Sequence, residues 1–229
     1  MKIWNELLSL FYPDLCLLCR TPLTDGEHHV CLRCLYRLPY TRYDRKADNP
    51  AALLFAGKVP VAGASAFLLY EKESLVQQLI HSLKYKGNHE LAYYLGRLAA
   101  LNWNQTGLYE TADLLVPVPL HPRKQRSRGY NQAERIAAGI ASVTGKPVDT
   151  VTLKRISRTD TQTDKSVYDR WENVEGIFEL ACAERFAGKH ILLVDDVLTT
   201  GATTGACARA AFQATGVQVS IFALAIAER

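Results

Sequence analysis

The sequence predicts an α/β fold, a parallel sheet with helices on both faces, preceded by a small cysteine ribbon. Two observations support this fold class. From residue 62 onward, short apolar runs alternate with helical stripes, a pattern typical of parallel strands joined by crossover helices. Ahead of that region, two C-x2-C pairs lie within the first 40 residues. The chain has 229 residues, 48% of them hydrophobic, which is enough to bury a core and carry an appendage.

Composition divides the chain into three regions. Residues 1–40 are predicted to hold a short N-terminal helix and the ribbon, residues 41–60 a link, and residues 61–229 the main domain. Apolar residues between Ile3 and Phe11 lie on one helical stripe, which favours a helix docked on its own protein over a membrane-surface anchor. No stretch approaches the roughly 20 apolar residues that a membrane span requires, so no span is expected.

The ribbon contains two C-x2-C pairs separated by eleven residues, formed by Cys16, Cys19, Cys31 and Cys34. A C-x2-C loop directs two thiolates at one tetrahedral ion, so this spacing predicts a structural zinc site. His28 and His29 are alternative ligands, and a redox or disulfide pair is the alternative use of the cysteines. No secretory signal is recognisable, so we expect a cytoplasmic protein, in which a cysteine cluster more often holds metal.

The main domain is predicted to alternate strands and helices. In chain order, the predicted elements are a strand at 62–70, a helix beginning at Leu75 and ending within 84–87, a helix at 90–101, a strand at 113–117, a helix at 132–143, a strand at 148–153, a strand at 190–194, a helix at 204–214 and a strand at 217–225. Between Arg155 and Phe178 the chain is polar and irregular, the kind of loop that closes over a site.

Positive charge is concentrated in one segment. The formal net charge of the chain is +4, and the segment from His121 to Arg135 contains five basic residues and one acid. This local excess predicts an anion site and does not demand nucleic acid. A solvated basic loop is the alternative interpretation.

The strongest functional signal follows the apolar strand Ile191–Val194, where the chain continues as DDVLTTGAT. Ligands of open α/β sheets bind at the carboxyl ends of strands. The turn Thr199–Thr203 offers a phosphate backbone N–H groups, hydroxyls and a helix N-terminus, and Gly201 permits close approach. Adjacent carboxylates repel phosphate but accept hydrogen bonds from ribose hydroxyls, which assigns Asp195 and Asp196 to a sugar. The pattern predicts a site for a ribose 5-phosphate group.

This stretch resembles the signature of type I phosphoribosyltransferases. The resemblance implies their fold, with the acidic pair on the ribose hydroxyls of phosphoribosyl pyrophosphate and the turn on its 5-phosphate. The turn residues are Thr199, Thr200, Gly201, Ala202 and Thr203. The alternative is an ordinary strand end followed by a threonine-capped helix. If the chain is an enzyme, a nitrogen nucleophile would displace pyrophosphate from C1, with Mg2+ bridging ribose and pyrophosphate oxygens.

The same resemblance implies a pyrophosphate loop after the strand at 113–117, within Val116–His121. The basic segment begins immediately afterwards, and the fork geometry of its arginines suits bidentate contact with pyrophosphate. Lysines near 84–86 could reach the same anion, although lysine at a helix C-terminus is also favourable by itself. The candidate pyrophosphate ligands are Pro119, Leu120, Arg126, Arg128 and Lys84.

A narrower resemblance, to the ComF family, covers nearly the whole chain. It rests on the order of unrelated motifs: the cysteine ribbon, LKYKG at 83–87, VPVPLHPRKQRSRGYNQAE at 116–134, R-x5-T-Q at 155–162, Arg170 with Asn173, and the phosphate turn. It implies that Thr161, Gln162, Arg170 and Asn173 match the family pattern in the polar loop, although the last two could simply anchor that loop. A compact ribbon with only four cysteines departs from the pattern.

Three functions remain open. The leading one, implied by the ComF resemblance, is a protein that binds phosphoribosyl pyrophosphate and supports DNA uptake in natural competence, with single-stranded DNA and a competence helicase as partners. The second is an active phosphoribosyltransferase of nucleobase or amine metabolism, for which no base-recognition element can be assigned between Phe67 and Leu114. The third is a single-stranded nucleic-acid-binding or adaptor protein without turnover.

Overall fold

The computed structural model describes residues 13–43, 48–85, 87–102, 110–156 and 176–227. Its strands are β1 (Gly63–Tyr70), β2 (Leu114–Pro117), β3 (Leu153–Arg155), β4 (Phe178–Leu180), β5 (His190–Leu198) and β6 (Gln218–Ala227). Four of them form a parallel sheet in the order β1-β6-β5-β2. Strands β3 and β4 form a separate antiparallel pair.

Helices cover both faces of the parallel sheet. The described helices are α1 (Leu32–Tyr36), α2 (Pro50–Leu53), α3 (Leu75–Tyr85), α4 (His89–Asn102), α5 (Pro122–Arg128), α6 (Gln132–Thr144) and α7 (Ala202–Ala211), with a short 3-10 helix at Ala183–Arg185. Helices α3, α4 and α6 contribute to the hydrophobic cluster on one face, whereas α2 and α7 contribute to the cluster on the other. The predicted α/β fold class is confirmed.

Strand β5 contributes side chains to both clusters because successive side chains of a strand point to opposite faces. Leu192 and Val194 belong to the cluster with α3, α4 and α6, whereas Ile191 and Leu193 belong to the cluster with α2 and α7. All four side chains are fully buried. An uninterrupted apolar run is what a parallel strand covered on both sides requires.

The predicted strand at 148–153 is wrong over most of its length. The Asp149 carboxylate accepts hydrogen bonds from the backbone N–H groups of Val151 (2.9 Å) and Thr152 (2.8 Å) and from the Thr152 hydroxyl (2.7 Å). Such local bonds close a turn that competes with an extended ladder. Regular pairing therefore begins only at Leu153, although Val148 forms a single parallel bridge with Leu115.

Much of the segment predicted as a link packs into the core. The Asn49 side chain caps α2 by accepting from the Ala51 N–H at 2.9 Å. Ala51, Phe55 and Val59 are buried in the cluster that contains α7. The apolar residues of this segment therefore pack against the sheet. The sequence predicted a link there because of the polar and turn-forming residues of the same segment.

The cysteine ribbon packs on the same side of the sheet as α3 and α4, because Cys16, Cys31 and Cys34 share a buried cluster with residues of both helices. The chain then pairs with the edge of β1, where the Thr41 N–H donates to the Phe67 carbonyl at 3.1 Å. This pairing covers part of an otherwise open edge strand. The predicted helix between Ile3 and Phe11 lies outside the described residues.

Within the described part of the chain, no helix has the length and apolar character needed to cross a bilayer.

Two glycines allow α4 and α6 to touch. A Cβ at Gly96 would lie 2.2 Å from the carbonyl oxygen of Ile136, and a Cβ at Gly139 would lie 2.1 Å from that of Tyr93. Real side chains cannot approach backbone so closely, so this contact requires glycine at both positions. Since α4 follows α3 and α6 follows α5, the contact sets the spacing of two segments that carry candidate site residues.

Replacing Gly96 by alanine should lower the free energy of unfolding by about 1–3 kcal/mol, the usual cost of overpacking. The new methyl group meets backbone, which can move aside only if the two helices separate. The better helix propensity of alanine, about 1 kcal/mol, offsets only part of that cost. Urea unfolding measures the change, and Arg97→Ala, at an exposed position on the same helix, is the control. A Gly96→Ala protein as stable as the wild type would contradict the close contact.

Candidate functional site

A cleft of about 570 Å³ opens at the carboxyl ends of β1, β2 and β5. Open α/β sheets bind ligands at this edge. Three of the predicted motifs contribute to its lining: the acidic pair, the threonine turn and the basic segment. Motifs separated by up to eighty residues in sequence are therefore brought to one place by the sheet.

The acidic pair lies within β5 rather than after it, because this strand continues to Leu198. Asp195 and Asp196 both line the cleft, but their side chains leave opposite faces of the strand. The Asp195 carboxylate accepts the backbone N–H of Asp196 at 2.8 Å. Burial, followed by repulsion from the Asp196 carboxylate, raises the pKa of Asp195 to about 8. Near neutral pH, the protonated form of the Asp195 carboxyl is therefore favoured, which relieves its repulsion with Asp196.

Asp196 is neutralised by the last turn of α3. The Lys84 ammonium lies 3.1 Å from a carboxylate oxygen of Asp196, and both side chains are largely buried. Since Lys84 and Asp196 come from different elements, the pair joins α3 to β5 across the cleft. A buried carboxylate needs such a partner, because removing it from water is otherwise costly.

Cations outnumber acids in the described lining of the cleft. Four basic residues, Lys84, Lys124, Arg128 and Arg155, face the two carboxylates of the acidic pair. Burial and then the positive charges of Arg128, Arg155 and Lys84 lower the pKa of Lys124. An anion placed among these groups would relieve their mutual repulsion.

The first part of the basic segment forms helix α5, which the sequence prediction missed. Its signals were nevertheless present: His121 accepts the Arg123 N–H at 3.1 Å as N-cap, Pro122 occupies the first turn, and Gly129 ends the helix with φ 80°. Helical spacing explains which of its cations line the cleft. Lys124 and Arg128 are one turn apart on the same face, whereas Arg126 is exposed and outside the lining.

The residues after α5 hold this arrangement together. The Tyr130 hydroxyl donates to the Leu83 carbonyl at 2.7 Å, which ties the end of α3 to the start of α6. Asn131 caps α6 and donates to the Val118 carbonyl at 3.0 Å. Gln132 accepts from the Arg128 guanidinium at 2.9 Å. These polar side chains position the Arg128 guanidinium and the backbone of Leu83, the residue before Lys84.

The threonine turn divides into exposed and buried parts. Thr199 and Thr203 line the cleft, whereas Thr200, Gly201 and Ala202 are buried. Gly201 has φ 75°, and a Cβ there would lie 3.0 Å from the Phe55 ring. Phe55, from the segment predicted as a link, therefore supports the turn from behind.

The remaining candidate residues either line the cleft or lie outside the described residues. Pro119 and Leu120 line the cleft beside the basic residues. Arg155 also lines it and stacks its guanidinium 5.4 Å from the centre of the Phe178 ring. The candidates outside the described residues are Lys86, Thr161, Gln162, Arg170 and Asn173.

The four thiols of the ribbon form a compact cluster. The sulfur atoms of Cys16, Cys19, Cys31 and Cys34 all lie within 4.8 Å of one another, and those of Cys19 and Cys31 are 3.6 Å apart. A tetrahedral ion with metal–sulfur bonds of about 2.3 Å separates its sulfur ligands by about 3.8 Å. The cluster therefore has the donor set and the dimensions to hold a metal ion such as zinc.

Histidine is not needed to complete this cluster. The His29 ring packs edge-on against the Tyr94 ring of α4, with centroids 5.5 Å apart. Burial lowers the pKa of His29, which is consistent with a neutral ring in a packing role. Among the described residues, the four cysteines alone make up the potential metal site.

Comparison with known proteins gives one relative that matches most of the chain and another that matches about half of it. No family model matches the chain. It is 30% identical over 226 residues to the DNA utilization protein YhgH of Salmonella typhimurium, an alignment that covers 94% of this chain and 98% of that protein. It is 33% identical over 129 residues to the competence protein F of Haemophilus influenzae, with 55% of this chain and 56% of that protein covered.

A weaker likeness is to the solved structure of an allosteric regulatory enzyme of purine biosynthesis. The TM-score is 0.44 and the sequence identity 19%, with 63% of this chain and 30% of that chain covered.

Proposed function

The chain belongs to the ComF family, and we propose that its cleft binds phosphoribosyl pyrophosphate in support of DNA uptake. The observation that carries the proposal is the meeting of an acidic pair, a threonine turn and four cations in one cleft at the carboxyl edge of the sheet. A ligand with a diol between two anionic groups matches this arrangement of charges. Phosphoribosyl pyrophosphate has that composition.

The acidic pair is proposed to bind the ribose. Asp196, which pairs with Lys84, supplies carboxylate acceptors, and Asp195, with its raised pKa, offers both a donor and an acceptor when protonated. Ribose hydroxyls both donate and accept, so they suit this mixed pair. When the ribose hydroxyls donate to the Asp196 carboxylate, the Lys84 ammonium becomes available to bind a second anion nearby.

The cations on α3 and α5 are proposed to bind the pyrophosphate. Lys84, Lys124 and Arg128 lie in the cleft lining next to Pro119 and Leu120. Arg128 is held by Gln132, which restricts the guanidinium before any ligand arrives. The geometry favours Lys124 over Arg126 as the partner of Arg128, because only Lys124 shares its helix face.

The threonine turn is proposed to bind the 5-phosphate. Thr199 and Thr203 supply hydroxyls that line the cleft, and the backbone of Thr200, Gly201 and Ala202 leads into α7. A helix N-terminus favours phosphate through its N–H groups and its dipole. Phe55 behind Gly201 keeps the turn close to the cleft.

Mg2+ is proposed to accompany the ligand. The ion would neutralise the pyrophosphate and polarise its oxygens, which are hard ligands that Mg2+ prefers. Asp195 and Asp196 are the carboxylates in the described cleft lining that could hold it together with the sugar. Gln162, Arg170 and Asn173, which lie outside the described residues, are proposed as further contacts with the ligand.

The link to DNA uptake comes from the relatives. Their names, DNA utilization protein and competence protein F, place them in the use or acquisition of DNA. We carry this role to the present chain, with single-stranded DNA and a helicase as proposed partners in the cytoplasm. Transfer of the phosphoribosyl group is a separate activity, for which release of pyrophosphate upon addition of candidate bases is the assay.

Zinc is proposed as the metal of the ribbon. Four thiolates complete a tetrahedral shell and leave no position for a substrate, so the ion would support folding. Cys16, Cys31 and Cys34 are buried against the α3 and α4 side of the molecule. The ion would therefore stabilise one wall of the main domain as well as the ribbon.

Calorimetric titration with phosphoribosyl pyrophosphate and Mg2+ tests the cleft. We expect saturable binding by the wild type and a loss of at least about tenfold in affinity in the Asp195→Asn, Asp196→Asn variant, because hydrogen bonds to charged groups are the stronger ones. Asp113→Asn is the matched control, since its carboxylate accepts the His190 N–H at the opposite end of β5. Absence of binding by the wild type, or equal affinity in the double variant, would overturn the proposal.

Metal analysis of the purified protein tests the ribbon. We expect about one zinc per chain, because four thiolates bind one ion. Cys31→Ser removes one of these ligands and should abolish most of the zinc and lower the melting temperature. Cys182→Ser, which changes a cysteine outside the cluster, should retain the metal. A wild type free of zinc, or a Cys31→Ser protein with its full content, would contradict the assignment.

A further inference from the structure

The segment 117–122, which joins β2 to the start of α5, contains three prolines and therefore few backbone donors, because proline has no N–H group. Of its three N–H groups, that of Val118 donates to the Val194 carbonyl of β5 at 2.9 Å. Those of Leu120 and His121 have no acceptor among the described residues. Leu120 also lines the cleft. The loop therefore keeps two backbone donors for an anion.

The Asn131 side chain holds this loop from inside the fold. Asn131 lies in the cleft lining, yet it is only 4% exposed. Its amide nitrogen donates to the Val118 carbonyl at 3.0 Å and to the Glu134 carboxylate at 3.3 Å. Its amide oxygen accepts the Ala133 N–H at 3.0 Å as the cap of α6. An amide nitrogen has two donors, so neither remains for a ligand.

The bond to Asn131 fixes the direction of the loop. Val118 is buried, and a buried carbonyl without a partner costs free energy. This carbonyl belongs to the planar peptide that joins Val118 to Pro119, so holding its oxygen sets the plane of that peptide. The residues that follow this peptide carry the two N–H groups without acceptors. Asn131 therefore determines how these donors enter the cleft.

We propose that Asn131 is a positioning residue for the pyrophosphate group, which it influences through the loop 117–122 without touching the ligand. The inference rests on the proposed function, because it concerns the pyrophosphate of phosphoribosyl pyrophosphate. Donors that are held in place before binding raise the affinity, since less conformational freedom is lost when the ligand arrives. A single amide thus aligns the loop with the first turn of α6.

Asn131→Ser tests this role. Serine caps a helix as well as asparagine does, but its shorter side chain lacks the amide donor for Val118, and the change adds no charge to the cleft. We expect the affinity for phosphoribosyl pyrophosphate with Mg2+ to fall about threefold to tenfold, the value of one hydrogen bond. In competition titrations, inorganic pyrophosphate should weaken by the same factor, whereas ribose 5-phosphate should compete as it does in the wild type.

Asn49→Ser is the matched control, because Asn49 makes the same kinds of bond away from the cleft. It is 3% exposed, caps α2 by accepting the Ala51 N–H at 2.9 Å, and donates to the Ala64 carbonyl at 2.9 Å. Ala64 lies near the start of β1, whereas the cleft opens at the other end of that strand. We expect a loss of stability in urea comparable to that of Asn131→Ser, with wild-type affinity for pyrophosphate.

Leu120→Pro shows whether Asn131 acts through the loop. Proline at this position removes one of the two remaining N–H donors. If Asn131 positions that donor, the double variant should lose less affinity for phosphoribosyl pyrophosphate than the product of the two separate losses. Losses that multiply would show that Asn131 acts on the ligand independently of the loop, which contradicts the positioning role.

The same titrations separate this inference from the proposed function. A wild type that binds no phosphoribosyl pyrophosphate would refute the proposed function. If the wild type binds it, three results would refute the positioning role alone: unchanged affinity in Asn131→Ser, equal losses for pyrophosphate and ribose 5-phosphate, or failure of inorganic pyrophosphate to compete. A selective loss of pyrophosphate affinity in Asn131→Ser, absent from Asn49→Ser, is the result that the inference predicts.

Discussion

Asp195 and Asp196 lie near the end of a strand whose preceding residues are buried on both faces. Removing carboxylate charge from water costs free energy, and the arrangement of the cleft compensates for that cost. Burial keeps Asp195 protonated to a higher pH, whereas Asp196 is compensated by Lys84 at 3.1 Å. The end of α3 must therefore lie beside β5, where Tyr130 holds it through the Leu83 carbonyl. With the additional cations on α5, basic side chains outnumber carboxylates in the described lining of the cleft.

Local signals in the sequence were sufficient for the sheet and for the cluster of thiols. The apolar run Ile191–Val194 predicted a buried strand, because only a strand covered on both faces tolerates such a run. The two C-x2-C pairs predicted one metal cluster, and their four sulfur atoms do lie together. The basic segment was harder to interpret, since His121, Pro122 and Gly129 mark a helix that its charge pattern conceals. Helical spacing would have favoured Lys124 over Arg126 as the residue that lines the cleft together with Arg128.

Other features depend on contacts that no local pattern reveals. At Asp149, the side chain accepts hydrogen bonds from the following backbone and closes a turn. β-propensity alone had favoured a strand there. Phe55 lies in a segment rich in turn residues, yet it packs behind Gly201 because the chain returns to the sheet there.

A crystal structure of the protein with phosphoribosyl pyrophosphate and Mg2+ tests the central proposal most directly. We expect the 5-phosphate at Thr199 and Thr203, the ribose hydroxyls on Asp196, and the pyrophosphate among the cations of α3 and α5. The Lys84 ammonium, 3.1 Å from Asp196 without ligand, should have moved to the pyrophosphate. A ligand bound away from β5, with the pair between Lys84 and Asp196 intact, would contradict this assignment of the cleft.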